Sequence, residues 1–171
     1  MTLTRRRLLG AALTLPAAAF MPARWLWAQA PATAERITAV IHTARGPQRL
    51  DVEVAKTPAQ REQGLMARDA LGADSGMLFV YDRRQSKRRA FWMYRTRIPL
   101  DIAFIDSEGR IVDLRTMEPC LSENSTRCPA YAPGSAYHAA LEVNAGYFAE
   151  RGISTGDCVS AAVLLAACRA E

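Results

Sequence analysis

The segment LDIAFID, residues 100–106, constrains the fold most, because both of its alternating faces are apolar. Leu100 begins one apolar face of an extended strand, and the other face is apolar except for Asp101. A strand with two apolar faces must be covered on both sides. A carboxylate in such a strand needs hydrogen-bond donors, because an unpaired buried charge is strongly destabilising. The segment therefore predicts a covered central strand that carries one partnered acid.

Other short segments have strand or helix character. Strand patterns occur at Ile37–Thr43, Leu50–Ala55, Met77–Tyr81, Arg89–Met93, Arg110–Met117 and Tyr137–Asn144, and a final apolar strand follows residue 157. One short helix begins after Thr57, which with Gln60 completes a capping box, and ends at Gly64. A second short helix ends at Gly152. These elements predict an α+β, β-rich fold: a single small, partly closed β-barrel-like domain with two short helices.

The first 30 residues have the pattern of an export signal. A basic start is followed by a short apolar run and by Ala28-Gln29-Ala30, which resembles a cleavage site. Within it, Thr4–Leu9 (TRRRLL) matches the twin-arginine export motif, although the general secretory route remains an alternative. We therefore expect residues 1–30 to be a signal peptide and residues 31–171 to be one periplasmic or secreted domain. No transmembrane span is expected after cleavage.

The net charge of +5 says little about partners, because four of the 22 basic residues lie in the signal and the rest nearly balance the 17 acidic ones. One basic cluster remains: Arg83, Arg84, Lys87, Arg88 and Arg89. Since aromatic residues do not alternate with these charges, we expect a solvated loop rather than a nucleic-acid surface. An anionic lipid head group or polysaccharide remains open as a partner.

All four cysteines lie in the expected mature domain, which favours disulfides. Cys120 and Cys128 enclose a polar stretch without a hydrophobic pattern, so we expect a bridge between them. Cys158 and Cys168 flank an apolar run and could pair only if that run turns, so their pairing is left open. The spacing is too wide for a metal pair, so we expect no metal and no cofactor.

The sequence contains none of the sharp catalytic motifs, and the alternating patterns around His42 and His138 are typical of ordinary strand histidines. Asp101 and Glu142, both in apolar strands, are the candidate catalytic residues, and no assignment is made. They could form the acid–base pair of a glycoside hydrolase if they share a cleft. The pattern favours a structural role instead, in which Asp101 pairs with Arg61, Arg68 or Thr96. The ligand-binding candidates are Arg61, Arg68, Trp92, Thr96, Asp101 and Glu142.

Several of these segments resemble the domain of unknown function 192. The similar segments are Thr57–Leu71, Gly76–Tyr81, Phe91–Met93, Thr96–Asp106, Leu141–Gly146 and Gly152–Asp157, within residues 50–160. The resemblance implies a small β-rich domain, often exported, without an established activity. It places the motif positions on Arg61, Gly64, Leu65, Met66, Arg68, Trp92, Met93, Thr96, Pro99, Asp101 and Glu142. One departure is Tyr94-Arg95, where the family commonly has Lys-Asn.

Together these features predict an exported, monomeric domain that binds an unknown ligand or protein of the cell envelope as a binding or accessory protein, and not nucleic acid. The alternative is a small carboxylate-dependent enzyme, a polysaccharide-directed hydrolase that uses Asp101 and Glu142. A third hypothesis, a structural partner of another envelope protein, requires an exposed apolar patch.

Overall fold

A computed structural model of the chain describes residues 34–164 and residue 168. The strands are β1 Glu35–Thr43, β2 Gly46–Ala55, β3 Ser75–Gln85, β4 Phe91–Trp92, β5 Leu100–Ile105, β6 Ile111–Met117, β7 Ala130–Tyr131, β8 Tyr137–Asn144 and β9 Cys158–Ala161. The helices are α1 Pro58–Gln63 and α2 Tyr147–Arg151, and a single 3-10 turn spans Ser125–Arg127. The predicted α+β, β-rich class is confirmed. The expected signal, residues 1–30, lies outside the described residues.

Seven strands form one sheet in the order β6-β5-β8-β3-β2-β1-β9, and β4 pairs with β7 in a small second sheet. The large sheet curls strongly into a half-barrel. Its neighbours are antiparallel except for β2 and β3, which are parallel and joined through α1. Within the described part of the chain, no helix is long and apolar enough to cross a membrane.

Helix α1 begins and ends as its capping residues predict. The backbone amide of Gln60 donates to the Thr57 hydroxyl at 3.2 Å, and the Gln60 side chain accepts from the amide of Thr57 at 3.0 Å. Gly64 ends the helix with a positive φ of 46°. Glycine adopts this backbone conformation without the strain that a Cβ would introduce.

Strand β5 is covered on both faces, as its two apolar faces predicted. One hydrophobic cluster contains Ala103 and Ile105 and packs under α2, and the other contains Leu100, Ile102 and Phe104. Every residue of β5 is buried. The sheet therefore separates two cores, and a side chain on β5 or β8 belongs to one core or to the other.

Several strand boundaries differ from the prediction, and two of them concern the basic cluster. The expected strand Arg89–Met93 is only two residues long, because the amide of Arg89 closes a turn on the Ser86 carbonyl at 2.9 Å. Strand β3 continues to Gln85, so Arg83 and Arg84 lie on the exposed end of a strand rather than in a loop. The basic cluster is exposed as expected, but it begins on the sheet.

Both cysteine pairs form disulfides. Cys120 and Cys128 are bonded as predicted, with 5.6 Å between their Cα atoms. Cys158 and Cys168, whose pairing the sequence left open, are also bonded, with 5.8 Å between Cα atoms. Two disulfides indicate an oxidising environment outside the cytoplasm.

Candidate functional site

Asp101 is a structural carboxylate. It is 4% exposed and lies opposite Thr116 on β6, whose hydroxyl donates to Oδ1 at 2.7 Å. Its Oδ2 accepts from the backbone amide of Phe148 in the first turn of α2 at 3.4 Å. Helix α2 starts at Gly146, which has no side chain to cap it. Asp101 therefore links β5, β6 and α2, and the expected partners Arg61, Arg68 and Thr96 are wrong.

Arg68 has a different acidic partner. Its guanidinium binds both carboxylate oxygens of Glu53 on β2, at 2.7 and 2.6 Å. This hydrogen-bonded contact lowers the pKa of Glu53 and raises that of Arg68. Arg36 also contacts Glu53, at 3.1 Å. Arg68 thus ties the segment after α1 to β2 and does not line the pocket described next.

A pocket of about 800 Å³ lies on the opposite side of the sheet from Asp101, between α1, the end of β3 and the segment around β4. We call it the central pocket. Its polar residues include the acids Glu142 and Glu62 and the hydroxyl-bearing Thr96. Its apolar and aromatic residues include Leu65, Met66, Phe79, Tyr81, Phe91, Trp92 and Tyr94, and its basic residues are Arg61, Arg89 and Arg95. Its size suits a small organic ligand.

Glu142 is a buried acid without a polar partner among the described residues. The residue is 6% exposed. Its neighbours across the sheet are Met77 on β3 and Ile102 on β5, and neither side chain can donate a hydrogen bond. Burial alone raises the pKa of Glu142 to about 8. At neutral pH the group is therefore a carboxylic acid, which can both donate and accept hydrogen bonds in the pocket.

Thr96 supplies a second polar group. Its backbone amide donates to the Met93 carbonyl at 3.0 Å, and its carbonyl accepts from Cys120 at 3.1 Å. The hydroxyl has no hydrogen bond to any residue that the structure describes, although the residue is only 4% exposed. The turn before it includes Arg95 at φ 57°, a left-handed conformation that suits asparagine better than arginine. That is the position where the family commonly has asparagine.

The rim combines aromatic and cationic side chains. Trp92 is 46% exposed and stacks on Tyr94, with ring centroids 4.9 Å apart. The Arg95 guanidinium lies 5.0 Å from the Tyr94 ring, and that of Arg61 lies 4.9 Å from Tyr81. Arg61 also donates to the Val80 carbonyl at 2.9 Å, which fixes α1 against β3. Within the described residues, none of the rim arginines forms a salt bridge.

The structure brings four of the six ligand-binding candidates together in the central pocket, Arg61, Trp92, Thr96 and Glu142, whereas Asp101 and Arg68 do not line it. In the sheet register Asp101 faces Val143, whereas Glu142 faces Ile102, so the two carboxylates lie on opposite faces. The two carboxylates therefore do not meet in one cleft, which the acid–base pair of the enzyme hypothesis requires. The aromatic and cationic pocket residues beyond these four were not predicted as a site. Arg89 carried a signal as a member of the basic cluster, and Tyr94 and Arg95 carried one as the departure from the family's Lys-Asn.

The two histidines do not form a site with these residues. His42 contacts the hydroxyl of Ser160 at 2.9 Å, far along the sheet on β1 and β9. His138 lines a separate groove. Across residues 34–164 and 168, no group of three or more histidine, cysteine or acidic side chains is arranged to hold a metal ion.

Fold and site together define a half-barrel domain with a pocket against one face of its sheet. Polar groups lie at the base of this pocket, and aromatic side chains lie around its opening. The model of the domain of unknown function 192, described as Uncharacterized ACR, matches residues 40–161. The chain belongs to this family, as the resemblance predicted.

Similar solved structures include the following two. A protein from Sinorhizobium meliloti 1021, described as a candidate transcription regulator, is 32% identical, with a TM-score of 0.68 over 78% of this chain and 98% of that one. A protein of unknown function from Novosphingobium aromaticivorans DSM 12444 is 28% identical, with a TM-score of 0.67 over 77% of this chain and 89% of the other. The comparison with curated proteins finds no match.

Proposed function

We propose that the protein is an extracytoplasmic binding domain whose central pocket takes one acidic sugar unit. The observation that carries the proposal is Glu142, a buried acid that lacks a polar partner among the described residues and lies in a pocket of about 800 Å³. Leaving such a group unpaired is unfavourable, and a ligand that hydrogen-bonds to it would remove that penalty.

The chemistry of the pocket selects the ligand class. A protonated Glu142 and the Thr96 hydroxyl each donate and accept hydrogen bonds, which matches the neighbouring hydroxyl groups of a sugar. The exposed face of Trp92 supports stacking against the apolar side of a sugar ring. The rim arginines favour a ligand that also carries a carboxylate or another anionic group.

Galacturonate is a suitable probe, because it combines a hydroxylated ring with one carboxylate. With 13 non-hydrogen atoms at about −0.3 kcal/mol each, its affinity should be on the order of 1 mM. Isothermal titration should detect this affinity, and galactose, which lacks the carboxylate, should bind more weakly. Absence of binding across a panel of uronates and other acidic sugars would refute the proposal.

Variants test the role of each polar group. Thr96→Val removes a hydroxyl at nearly constant shape and should weaken galacturonate binding about tenfold. Glu142→Gln keeps an uncharged donor and acceptor and should retain binding within a few-fold, whereas Glu142→Leu should abolish it. Leu121→Ala is the control, because Leu121 is 72% exposed and does not line the pocket. Loss of binding in Glu142→Gln would show that the charge or the proton is required.

A second candidate, hydrolysis of a polysaccharide, is favoured by one observation. The raised pKa of Glu142, about 8, keeps a proton available at neutral pH, as a general acid requires. Asp101 does not supply the second carboxylate, because it lies on the other face of the sheet. Incubation with polygalacturonate should release no reducing ends. If the wild type releases reducing ends and Glu142→Gln does not, the proposed function changes from sugar binding to hydrolysis.

The proposed location is the periplasm or the exterior of the cell, reached through a signal in residues 1–30, and the domain acts there as a monomer on an envelope ligand. Two disulfides support this location. Replacing the arginine pair by Arg5→Lys and Arg6→Lys keeps the charge of the signal and should retain the protein in the cytoplasm if the twin-arginine route is used. Unchanged export in cell fractionation would favour the general secretory route.

A further inference from the structure

A second cavity, of about 980 Å³, lies beside the first. We call it the basic groove. It is lined by Arg84, Lys87 and His138, by serine residues that include Ser107 and Ser135, and by Asp106. The Asp106 carboxylate accepts from the backbone amides of Glu108 and Arg110, at 2.8 and 2.9 Å, and so stabilises the β5–β6 turn. The cations and the two named serines have no side-chain partner among the described residues, which leaves them available for an anion.

The basic groove and the central pocket share one segment. Residues 84–87 line the groove, and residues 89–92 line the pocket. Between them Arg88 is exposed, and in residues 82–89 five basic side chains accompany one acid, Asp82. No salt bridge joins any of these residues to another part of the described chain. Arg84 and Lys87 at the groove, and Arg89 at the pocket, thus form a cationic path on a single segment that borders both cavities.

The separation of the two cavities can be estimated along strand β8. His138 lines the groove and Glu142 lines the central pocket, and these residues are four positions apart on the same strand. Four residues of extended strand span about 13 Å. One sugar unit cannot contact both residues at once, whereas a short oligosaccharide can.

We propose that the natural ligand is a linear acidic polysaccharide: one unit occupies the central pocket, and the following units run along residues 83–89 into the basic groove. The repeated anionic groups of such a polymer complement Arg84, Lys87 and Arg89, and its hydroxyl groups can hydrogen-bond to the serines of the groove. This inference rests on the proposed function and extends it from a single sugar to a polymer. Nucleic acid and polyphosphate are the alternatives that the experiment must separate, and the disulfides favour a partner outside the cytoplasm.

The test compares galacturonate with its linear hexamer, hexagalacturonate, by isothermal titration at low salt. The hexamer should bind about tenfold more tightly or better than the monomer, because additional charge-assisted contacts form along the path. Added salt should reduce the gain of the hexamer. Neutral maltohexaose should not bind more tightly than its monomer, glucose, to the same extent.

Arg84→Gln combined with Lys87→Gln removes two cations of the groove without altering the central pocket. This double variant should lose most of the gain of the hexamer and bind the monomer as the wild type does. The matched control is Arg45→Gln with Arg49→Gln, which removes the same charge from exposed positions on the β1–β2 hairpin. The control should lose less than twofold in affinity for the hexamer, since exposed charges that line neither cavity contribute little.

The outcomes separate the two proposals. Monomer binding without a gain for the hexamer, or an equal loss in both double variants, would overturn the polymer path and leave the pocket proposal standing. Failure of the wild type to bind either sugar would overturn both. Tighter binding of polyphosphate or of a DNA oligonucleotide than of hexagalacturonate would overturn the assignment to a polysaccharide.

Discussion

Replacing Glu142 by glutamine should stabilise the protein at neutral pH. Burial raises the pKa of Glu142 from 4.5 to about 8, so between these values the unfolded chain releases a proton that the folded protein keeps. The wild type is therefore most stable, as far as this group is concerned, below pH 4.5, and it loses stability as the pH rises towards 8. Over this range the free energy of unfolding falls by about 5 kcal/mol, and about 3 kcal/mol of this decrease has occurred by pH 7.

Glutamine is uncharged at every pH, so Glu142→Gln should lack this loss. In urea unfolding followed by circular dichroism, with both disulfides intact, the free energies of unfolding of variant and wild type should nearly coincide at pH 4. At pH 7 the variant should be more stable by about 3 kcal/mol. Glu62→Gln, which removes a carboxylate from the exposed rim of the same pocket, is the matched control. A variant that is less stable than wild type at pH 7, or a difference independent of pH, would refute the reasoning.

Three further changes test the fold. Asp101→Ala should reduce the free energy of unfolding by about 2–3 kcal/mol, since the buried amide of Phe148 and the Thr116 hydroxyl lose their acceptor; a smaller change in denaturant unfolding than that of Thr116→Val would contradict this role. Gly76→Ala should cost about 1–3 kcal/mol or prevent folding, because its Cβ would lie 2.5 Å from a carbonyl oxygen of β8; a neutral effect on melting temperature would be inconsistent with this packing. Cys158→Ser with Cys168→Ser should cost about 2–3 kcal/mol, measurable by calorimetry, and unchanged stability would argue against the bridge.

The parts of the fold that the sequence predicts correctly are those that local chemistry determines. The capping box at Thr57 and the ending at Gly64 define α1 without any distant contact. The two apolar faces of β5 require cover on both sides, and the two cores provide it. The β4 strand was predicted too long, because the turn that closes on Ser86 depends on a hydrogen bond that composition does not reveal.

The site could be predicted only in part, because its character depends on strand register. Asp101 and Glu142 look alike in the sequence, each an acid among apolar strand residues. In the sheet, Asp101 lies opposite Thr116, which donates to it, whereas Glu142 lies between Met77 and Ile102, which cannot. The fold therefore supplies hydrogen-bond partners for the first carboxylate, and we propose that a ligand supplies them for the second.

Chemical-shift mapping of galacturonate binding on isotope-labelled protein tests the central claim most directly. At concentrations up to about 10 mM, several times the expected dissociation constant, the largest shifts should fall on Thr96, on Glu142 and on the Trp92 indole. The same shifts should be absent in Glu142→Leu, provided that its remaining spectrum is that of a folded protein. Shifts confined to the basic groove, or no shifts at all, would contradict the assignment of the central pocket as the sugar-binding site.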